Sequence, residues 1–171
     1  MIRDILIGDI TSPNNTRDII IGMNTDLQDV TGIGLRFVRN LIPAAALELG
    51  SVISFDFDPA RKLHMIICHK LGHGGWKDAD KYVRFGMDYL DHLNDDRRTH
   101  SIVQIGTGRV GVRDDADAGA IRTAMADSFL CVDLFVYDGL AMEEAQSDRE
   151  PLRPLFAWNA MKGPVPLQVA A

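Results

Sequence analysis

Three glycines stand close together in the segment Ile105-Gly-Thr-Gly-Arg-Val-Gly111, which follows an apolar run and precedes a stretch with helical spacing. Glycine lets the backbone approach a ligand closely, and the N–H groups of such a loop can surround a phosphate. Thr107 and Arg109 would add side-chain donors. The segment is neither a P-loop, because no Lys-Ser/Thr pair follows, nor a dinucleotide-binding fingerprint. Alone, it predicts either a tight turn or a phosphate-binding loop.

Two further segments carry groups that could contact a ligand. Asp9, in Gly8-Asp-Ile-Thr11, could accept a hydrogen bond from a ligand amino group, although capping the turn is the more common role of such a residue. Asn24 precedes Thr31-Gly-Ile-Gly34, at the start of a predicted helix. The two glycines of this segment could let an anion reach the free N–H groups at the start of the helix, or they could only permit close packing.

Other catalytic or metal-binding chemistry has little support in the sequence. Cys68, His69 and His73 are metal-ligand types, but Cys68 and His69 are adjacent in a predicted strand and should face opposite ways. No CxxC, HExxH or GxSxG motif is present. We therefore expect no metal, no cofactor and no hydrolase triad.

Composition describes an ordinary globular chain of 171 residues, with 46% hydrophobic and 25% charged residues. A net charge of −6 argues against non-specific nucleic-acid binding, but a local cradle of N–H groups could still bind a phosphorylated ligand. Both cysteines lie in apolar runs, which favours reduced thiols. With no long apolar run and no signal-like start, we expect a soluble cytoplasmic protein without a membrane partner.

Hydrophobic spacing predicts an alternation of strands and helices. The predicted strands are 2–7, 18–21, 51–56, 62–69, 101–105 and 131–137. The predicted helices are 32–49, which Pro43 should break or restart, 78–93 and 114–129. Ile121, Met125 and Phe129 form the expected core stripe of the last helix. This order predicts an α/β sandwich with a largely parallel sheet, in which ligands bind where loops leave the carboxyl ends of strands.

The end of the chain differs from the rest, because residues 148–171 contain four prolines and little periodicity. We therefore divide the chain into a domain over 1–146 and a Pro-rich C-terminal tail over 147–171. Whether the tail packs on its own domain or on a second subunit, as a homo-oligomer contact, stays open.

Taken in order, Gly8-Asp-Ile-Thr11, Asn24, Gly32-Ile-Gly34 and Ile105-Gly-Thr-Gly-Arg-Val-Gly111 resemble the ligand loops of a macrodomain, the ADP-ribose-binding fold. The resemblance covers about residues 2 to 145. It is greatest to the small-macrodomain branch that contains terminal ADP-ribose glycohydrolase and its phage, bacterial and yeast relatives. It implies a three-layer α/β/α sandwich around a central mixed six-stranded sheet, with ADP-ribose or an ADP-ribosylated target as partner.

The resemblance also implies a role for each matching position. Asp9 would bind the adenine amino group beside the Ile10 backbone, and Tyr137 would stack on the adenine ring. Asn24, the candidate catalytic residue, would lie near the distal ribose. The residues implied to surround the diphosphate and its ribose are Gly32, Ile33, Gly34, Gly106, Thr107, Gly108, Arg109, Val110 and Gly111.

The sequence departs from the family pattern where hydrolysis would take place. Ile21-Gly-Met-Asn24 keeps one of two asparagines, and Gly34 replaces an aspartate. In place of the lysine and aspartate of the glycohydrolase branch stand Val38-Arg-Asn40 and Val110. Arginine stays protonated and cannot act as a nucleophilic amine. We therefore predict ADP-ribose binding without efficient catalysis, the alternative being an ADP-ribosyl hydrolase or an ADP-ribose 1''-phosphate phosphatase.

Overall fold

Eight strands and two α-helices are seen in a computed structural model, which describes residues 1–28, 35–72, 74–105, 115–136 and 150–167. The strands are β1 (Ile2–Ile7), β2 (Ile19–Asn24), β3 (Ser51–Asp56), β4 (Lys62–His69), β5 (His100–Val103), β6 (Val132–Val136), β7 (Pro154–Asn159) and β8 (Gly163–Val165). The helices are α1 (Ala79–Leu93) and α2 (Asp115–Asp127), and short 3-10 turns occupy Arg39–Leu41 and Ala44–Leu47. Neither described α-helix is long and apolar enough to cross a membrane.

All eight strands belong to one mixed sheet, in the order β1-β6-β5-β2-β4-β3-β7-β8. The strands from β1 to β4 in this order run parallel, whereas β3, β7 and β8 are each antiparallel to the strand before them. Every residue of β2 is buried, which fits its nearly continuous apolar sequence at the centre of a parallel sheet. The predicted α/β class with a mixed sheet is confirmed.

The sheet separates two apolar cores, because alternate residues of a strand point to opposite faces. Ile20 and Ile66 pack with Met87 of α1 and Met125 of α2 on one face. On the other face, Ile21 belongs to a cluster that the segments around the 3-10 turns help to cover. The sheet is thus the middle of three layers.

The predicted helix over 32–49 is not an α-helix in its described part, because the helical segments within 35–49 are two short 3-10 turns. Pro43 has no N–H to donate and disfavours helical geometry in the residue before it. Accordingly Ile42 is extended, with φ −108° and ψ 110°. The propensity of the alanines that follow does not overcome this break.

Both predicted later helices are present. In α1, Gly86 lies so close to β4 that an added Cβ would stand 2.7 Å from Ile66 Cδ1, so the helix packs tightly on the sheet. In α2, Ile121 and Met125 are buried as predicted. The prediction for Phe129 is wrong: its side chain is 88% exposed, because the helix ends at Asp127 and no longer directs it to the core.

The C-terminal segment packs on its own domain over residues 154–165. β7 pairs with β3 and β8 pairs with β7, so the sheet has eight strands rather than the predicted six. Its prolines fit this arrangement, because Pro154 begins β7 and Pro164 lies in the terminal strand of the sheet. The predicted boundary between residues 146 and 147 lies outside the described residues.

Candidate functional site

Four predicted ligand segments follow four neighbouring parallel strands. The turn at Asp9 follows β1, the loop after Asn24 follows β2, the glycine segment from Ile105 follows β5, and Tyr137 follows β6. These strands stand in the order β1-β6-β5-β2, all parallel, so the four segments leave the same edge of the sheet. We call it the carboxyl edge. It is where open α/β sheets bind their ligands.

Asp9 caps the turn after β1 through one carboxylate oxygen. Its Oδ1 accepts hydrogen bonds from the Thr11 N–H at 2.8 Å and the Thr11 hydroxyl at 2.6 Å. Its Oδ2 has no hydrogen bond to another described residue, and the residue is partly exposed. Ile10, beside it, is 1% exposed and anchors the turn in the core. The turn-capping and ligand-binding roles are therefore compatible in the same side chain.

Asn24 is fully buried, and its side chain organises the loop that follows β2. Its Oδ1 accepts hydrogen bonds from the N–H groups of Asp26 and Gln28, both at 3.1 Å. Its Nδ2 donates to the Gln28 carbonyl at 2.8 Å. An amide oxygen has two lone pairs, and these two hydrogen bonds use both of them. In this geometry Asn24 shapes the loop that leads to the first glycine segment, and its oxygen cannot also hold a water molecule.

His69, at the end of β4, lies beside Asn24 in the sheet and was not predicted as part of the site. Its imidazole stacks on the Trp76 indole with centroids 3.8 Å apart and 9° between the planes. Burial lowers the pKa of His69 to about 4. The ring is therefore neutral near pH 7, next to the loop that Asn24 holds. Trp76 lies seven positions after His69, and this spacing does not predict that the two rings stack. The sequence therefore contained no local signal for His69.

The expected opposite orientation of Cys68 and His69 is wrong. Cys68 Sγ lies 3.4 Å from His69 Nδ1, because the register between β2 and β4 shifts here and leaves Cys68 as the extra residue of a bulge. Burial raises the pKa of the Cys68 thiol to about 12, so it is not a thiolate. His73, which the sequence analysis considered with Cys68 and His69 as a possible metal ligand, lies outside the described residues.

Gly22 creates the space for the start of the glycine segment. An added Cβ at Gly22 would stand 3.0 Å from three side-chain carbons of Ile105, which is 5% exposed. The central strand thus lacks a side chain where the residue that opens the segment packs. Sequence reasoning gave Gly22 no role beyond its place in the segment Ile21-Gly-Met-Asn24.

Arg39 lies in an exposed 3-10 turn, and its guanidinium donates to the Asp26 carbonyl in the loop after Asn24. The remaining predicted ligand-binding positions lie outside the described residues: Gly32, Ile33, Gly34, Gly106, Thr107, Gly108, Arg109, Val110, Gly111 and Tyr137. Of the segments that contain these positions, the structure describes the preceding strands.

Comparison with family models and with curated proteins gives no match. Similar solved structures include the macrodomain of Thermus aquaticus DarG, at 17% identity and a TM-score of 0.45, covering 79% of this chain and 97% of that one. The macrodomain of Oceanobacillus iheyensis with ADP is 15% identical, with a TM-score of 0.49, covering 85% of this chain and 90% of that one. Both are macrodomains, the family that the ligand segments resemble in sequence.

Proposed function

We propose that this chain binds ADP-ribose or a related nucleotide diphosphate sugar at the carboxyl edge, without efficient catalysis. The observation that carries the proposal is the parallel order β1-β6-β5-β2, because it brings four sequence-predicted ligand segments to one edge. The partner is then free ADP-ribose or an ADP-ribosylated target in the cytoplasm. Membership of the small-macrodomain branch is part of the same proposal.

The adenine end of the ligand is assigned to β1 and β6. Ile7 pairs with Val136, so Asp9 and Tyr137 each follow closely after paired strand ends. The Oδ1 of Asp9 holds the turn, and Oδ2 is the acceptor for the adenine amino group. An aromatic ring at Tyr137 supplies a surface for the purine. An acceptor with a stacking surface favours adenine over a base that presents a carbonyl at this position.

The diphosphate end is assigned to the glycine segments that follow β2 and β5. These strands are direct neighbours, so the two segments begin side by side. Backbone N–H groups are suitable donors for phosphate oxygens and do not require a positive net charge. This is consistent with ligand binding by a chain whose net charge is −6.

Efficient hydrolysis has weaker support than binding. Asn24 uses its side-chain oxygen for two backbone N–H groups, and Arg39 cannot serve as a nucleophile. We test the hydrolase and phosphatase alternative by incubating the protein with an ADP-ribosylated substrate and with ADP-ribose 1''-phosphate. Turnover that Asn24→Asp abolishes, in a variant that keeps an acceptor for the loop, would replace the binding-only proposal by an enzymatic one.

Isothermal titration calorimetry with free ADP-ribose tests binding itself. We expect a single site, and a loss of affinity of tenfold or more in Asp9→Ala, the cost of about 1.4 kcal/mol or more for a charge-assisted hydrogen bond. Asp4→Ala, a change of the same side chain at an exposed position of β1, the strand before Asp9, should leave the affinity unchanged. No binding at millimolar ADP-ribose would overturn the proposal.

A further inference from the structure

A second cluster of chemically active side chains lies at the opposite edge of the sheet, where the parallel strands begin. Asp18 directly precedes β2, His64 is near the start of β4, and His100 begins β5. The Nε2 atoms of both histidines lie 4.0 Å from Asp18 Oδ2. One ligand atom from each of the three residues lies within 4.8 Å of the other two.

The second polar atom of each of these three side chains contacts a neighbouring residue. Ser54 Oγ lies 2.7 Å from His64 Nδ1, and the Arg98 carbonyl accepts from His100 Nδ1 at 3.2 Å. Asp18 Oδ1 accepts from the Lys62 N–H at 2.8 Å. These contacts orient His64 Nε2, His100 Nε2 and Asp18 Oδ2 toward one another. Metal-binding histidines use such outer contacts to fix the ring and the coordinating nitrogen.

The distances suit a bridged arrangement better than direct contacts. At 4.0 Å, neither histidine donates a hydrogen bond to Asp18. An ion in the plane of the three atoms and equidistant from them would lie no more than about 2.5 Å from each, and a shift of a few tenths of an ångström would give the roughly 2.0–2.2 Å of zinc sites.

The burial of the three groups also suits a metal site. His64 and His100 are each 5% exposed, whereas Asp18 is only partly buried. A bound ion would therefore meet two imidazole rings that the fold holds in place and one carboxylate that solvent can still reach.

We propose that Asp18, His64 and His100 form a binding site for a divalent transition-metal ion, with Zn²⁺ as the representative metal. Two imidazoles and one carboxylate favour such an ion over Ca²⁺ or Mg²⁺, which take oxygen ligands. The three residues also line a cavity of about 300 Å³. A water molecule or a small ligand in the cavity would complete the coordination.

The metal would join the starts of three adjacent strands, β5, β2 and β4. The carboxyl edge is at the other end of these strands, so the metal site does not depend on the proposed nucleotide function. Its ligands are far apart in sequence and form no short motif, which is why sequence analysis led to an expectation of no metal.

Titration of the chelator-treated full chain with Zn²⁺ tests the proposal, together with Co²⁺, whose visible absorption reports the ligand geometry. We expect one equivalent of Zn²⁺ to bind, with thermal stabilisation, and tetrahedral or five-coordinate absorption bands with Co²⁺. His64→Ala and His100→Ala should each weaken Zn²⁺ binding at least tenfold. His92→Ala, a change of an exposed histidine on α1, should not alter it.

Because the two alanine variants remove buried rings, Asp18→Asn provides a milder third test. It keeps an acceptor for the Lys62 N–H and removes the negative charge, and its fold can be checked by circular dichroism. Weaker Zn²⁺ binding by the folded Asp18→Asn protein is the expected result. Absence of stoichiometric Zn²⁺ binding by the folded wild-type chain, or binding that all three substitutions leave unchanged, would overturn the proposal.

Discussion

Tyr89 of α1 and Trp158 of β7 stack face to face, with ring centroids 4.1 Å apart and 2° between the planes. The contact ties the C-terminal strands to a helix that packs on the central strands. Since β7 also pairs with β3, residues 154–165 belong to the same cooperative unit as the rest of the sheet.

Replacing Trp158 by alanine should therefore destabilise the whole domain. We expect Trp158→Ala to lower the free energy of unfolding by about 2–3 kcal/mol, through lost stacking and apolar contact. Leu155→Ala, on the same strand at a position 43% exposed, is the control and should cost much less. Urea denaturation measures both, and equal losses would argue against a specific role of the stack.

Loss of Asp133 should destabilise the protein more than loss of a carboxylate in an exposed ion pair. Its carboxylate is buried and accepts from Arg3 at 2.9 and 2.6 Å and lies 2.9 Å from Arg17 Nε. Asp133→Ala removes this buried acceptor and leaves two guanidinium groups that are partly exposed, so we expect a cost of about 1.5–3 kcal/mol for the lost charged hydrogen bonds. Asp96→Ala, which breaks an exposed pair with Arg98, should cost less than about 1 kcal/mol. Urea denaturation of the two variants should show this difference, and comparable losses would contradict it.

Gly22→Ala should disturb the start of the glycine segment. The new Cβ would press on Ile105, and overpacking of this kind costs about 1–3 kcal/mol. The same shift should weaken ADP-ribose binding measured by calorimetry. Gly119→Ala, in α2 where an added Cβ meets nothing within 4 Å, should be neutral or slightly stabilising.

A second substitution distinguishes the steric effect from other effects of the added methyl group. Ile105→Val, which removes one of the three carbons that the Cβ would meet, should partly restore the stability of Gly22→Ala. If the double variant loses the sum of the two single losses, the proposed contact does not explain the effect.

Protonation of His69 should lower stability in acid. Its folded pKa of about 4 lies below the ordinary value of 6.5, so the unfolded chain binds the additional proton first. The neutral ring's contribution is present above pH 6.5 and is lost as the pH falls toward 4, with a slope of up to about 1.4 kcal/mol per pH unit. NMR titration of the ring and urea denaturation between these limits measure it.

His69→Gln should remove this part of the pH dependence, and His92→Gln, at an exposed position, should retain it. A His69 ring that titrates near 6.5 in the folded protein would contradict the burial argument.

Strands and amphipathic helices could be predicted from sequence because their periodicity is local. β2 is apolar in all but its last residue and lies at the sheet centre, and Ile121 and Met125 of α2 are buried as their spacing predicts. Pro43 could be recognised as a break, but the apolar spacing still predicted a helix around it, where the described part of this segment has short 3-10 turns. The strand at Pro154–Asn159 was missed because pairing with β3, a distant contact, decides its conformation.

The candidate sites show the same limit. The turn-capping role of Asp9 could be predicted because turn chemistry is local, whereas its ligand-binding role stays a prediction. The contact of Gly22 with Ile105, and the convergence of Asp18, His64 and His100, depend on strand order. Strand order is set by the packing of the whole sheet and is not written in any single segment.

The most direct test of the proposed function exchanges the polarity of the Asp9 side chain. Asp9→Asn keeps an oxygen for Thr11 but presents an amide donor where the carboxylate would accept from adenine. Calorimetric titration compares ADP-ribose with inosine diphosphate ribose, which has a carbonyl in place of the amino group. Asp4→Asn, at an exposed position of β1, is the control. We predict that wild type and Asp4→Asn bind ADP-ribose at least tenfold more tightly than the inosine analogue, and that Asp9→Asn loses or reverses this preference. Equal binding of both nucleotides by the wild-type protein, or no binding of either, would contradict the account.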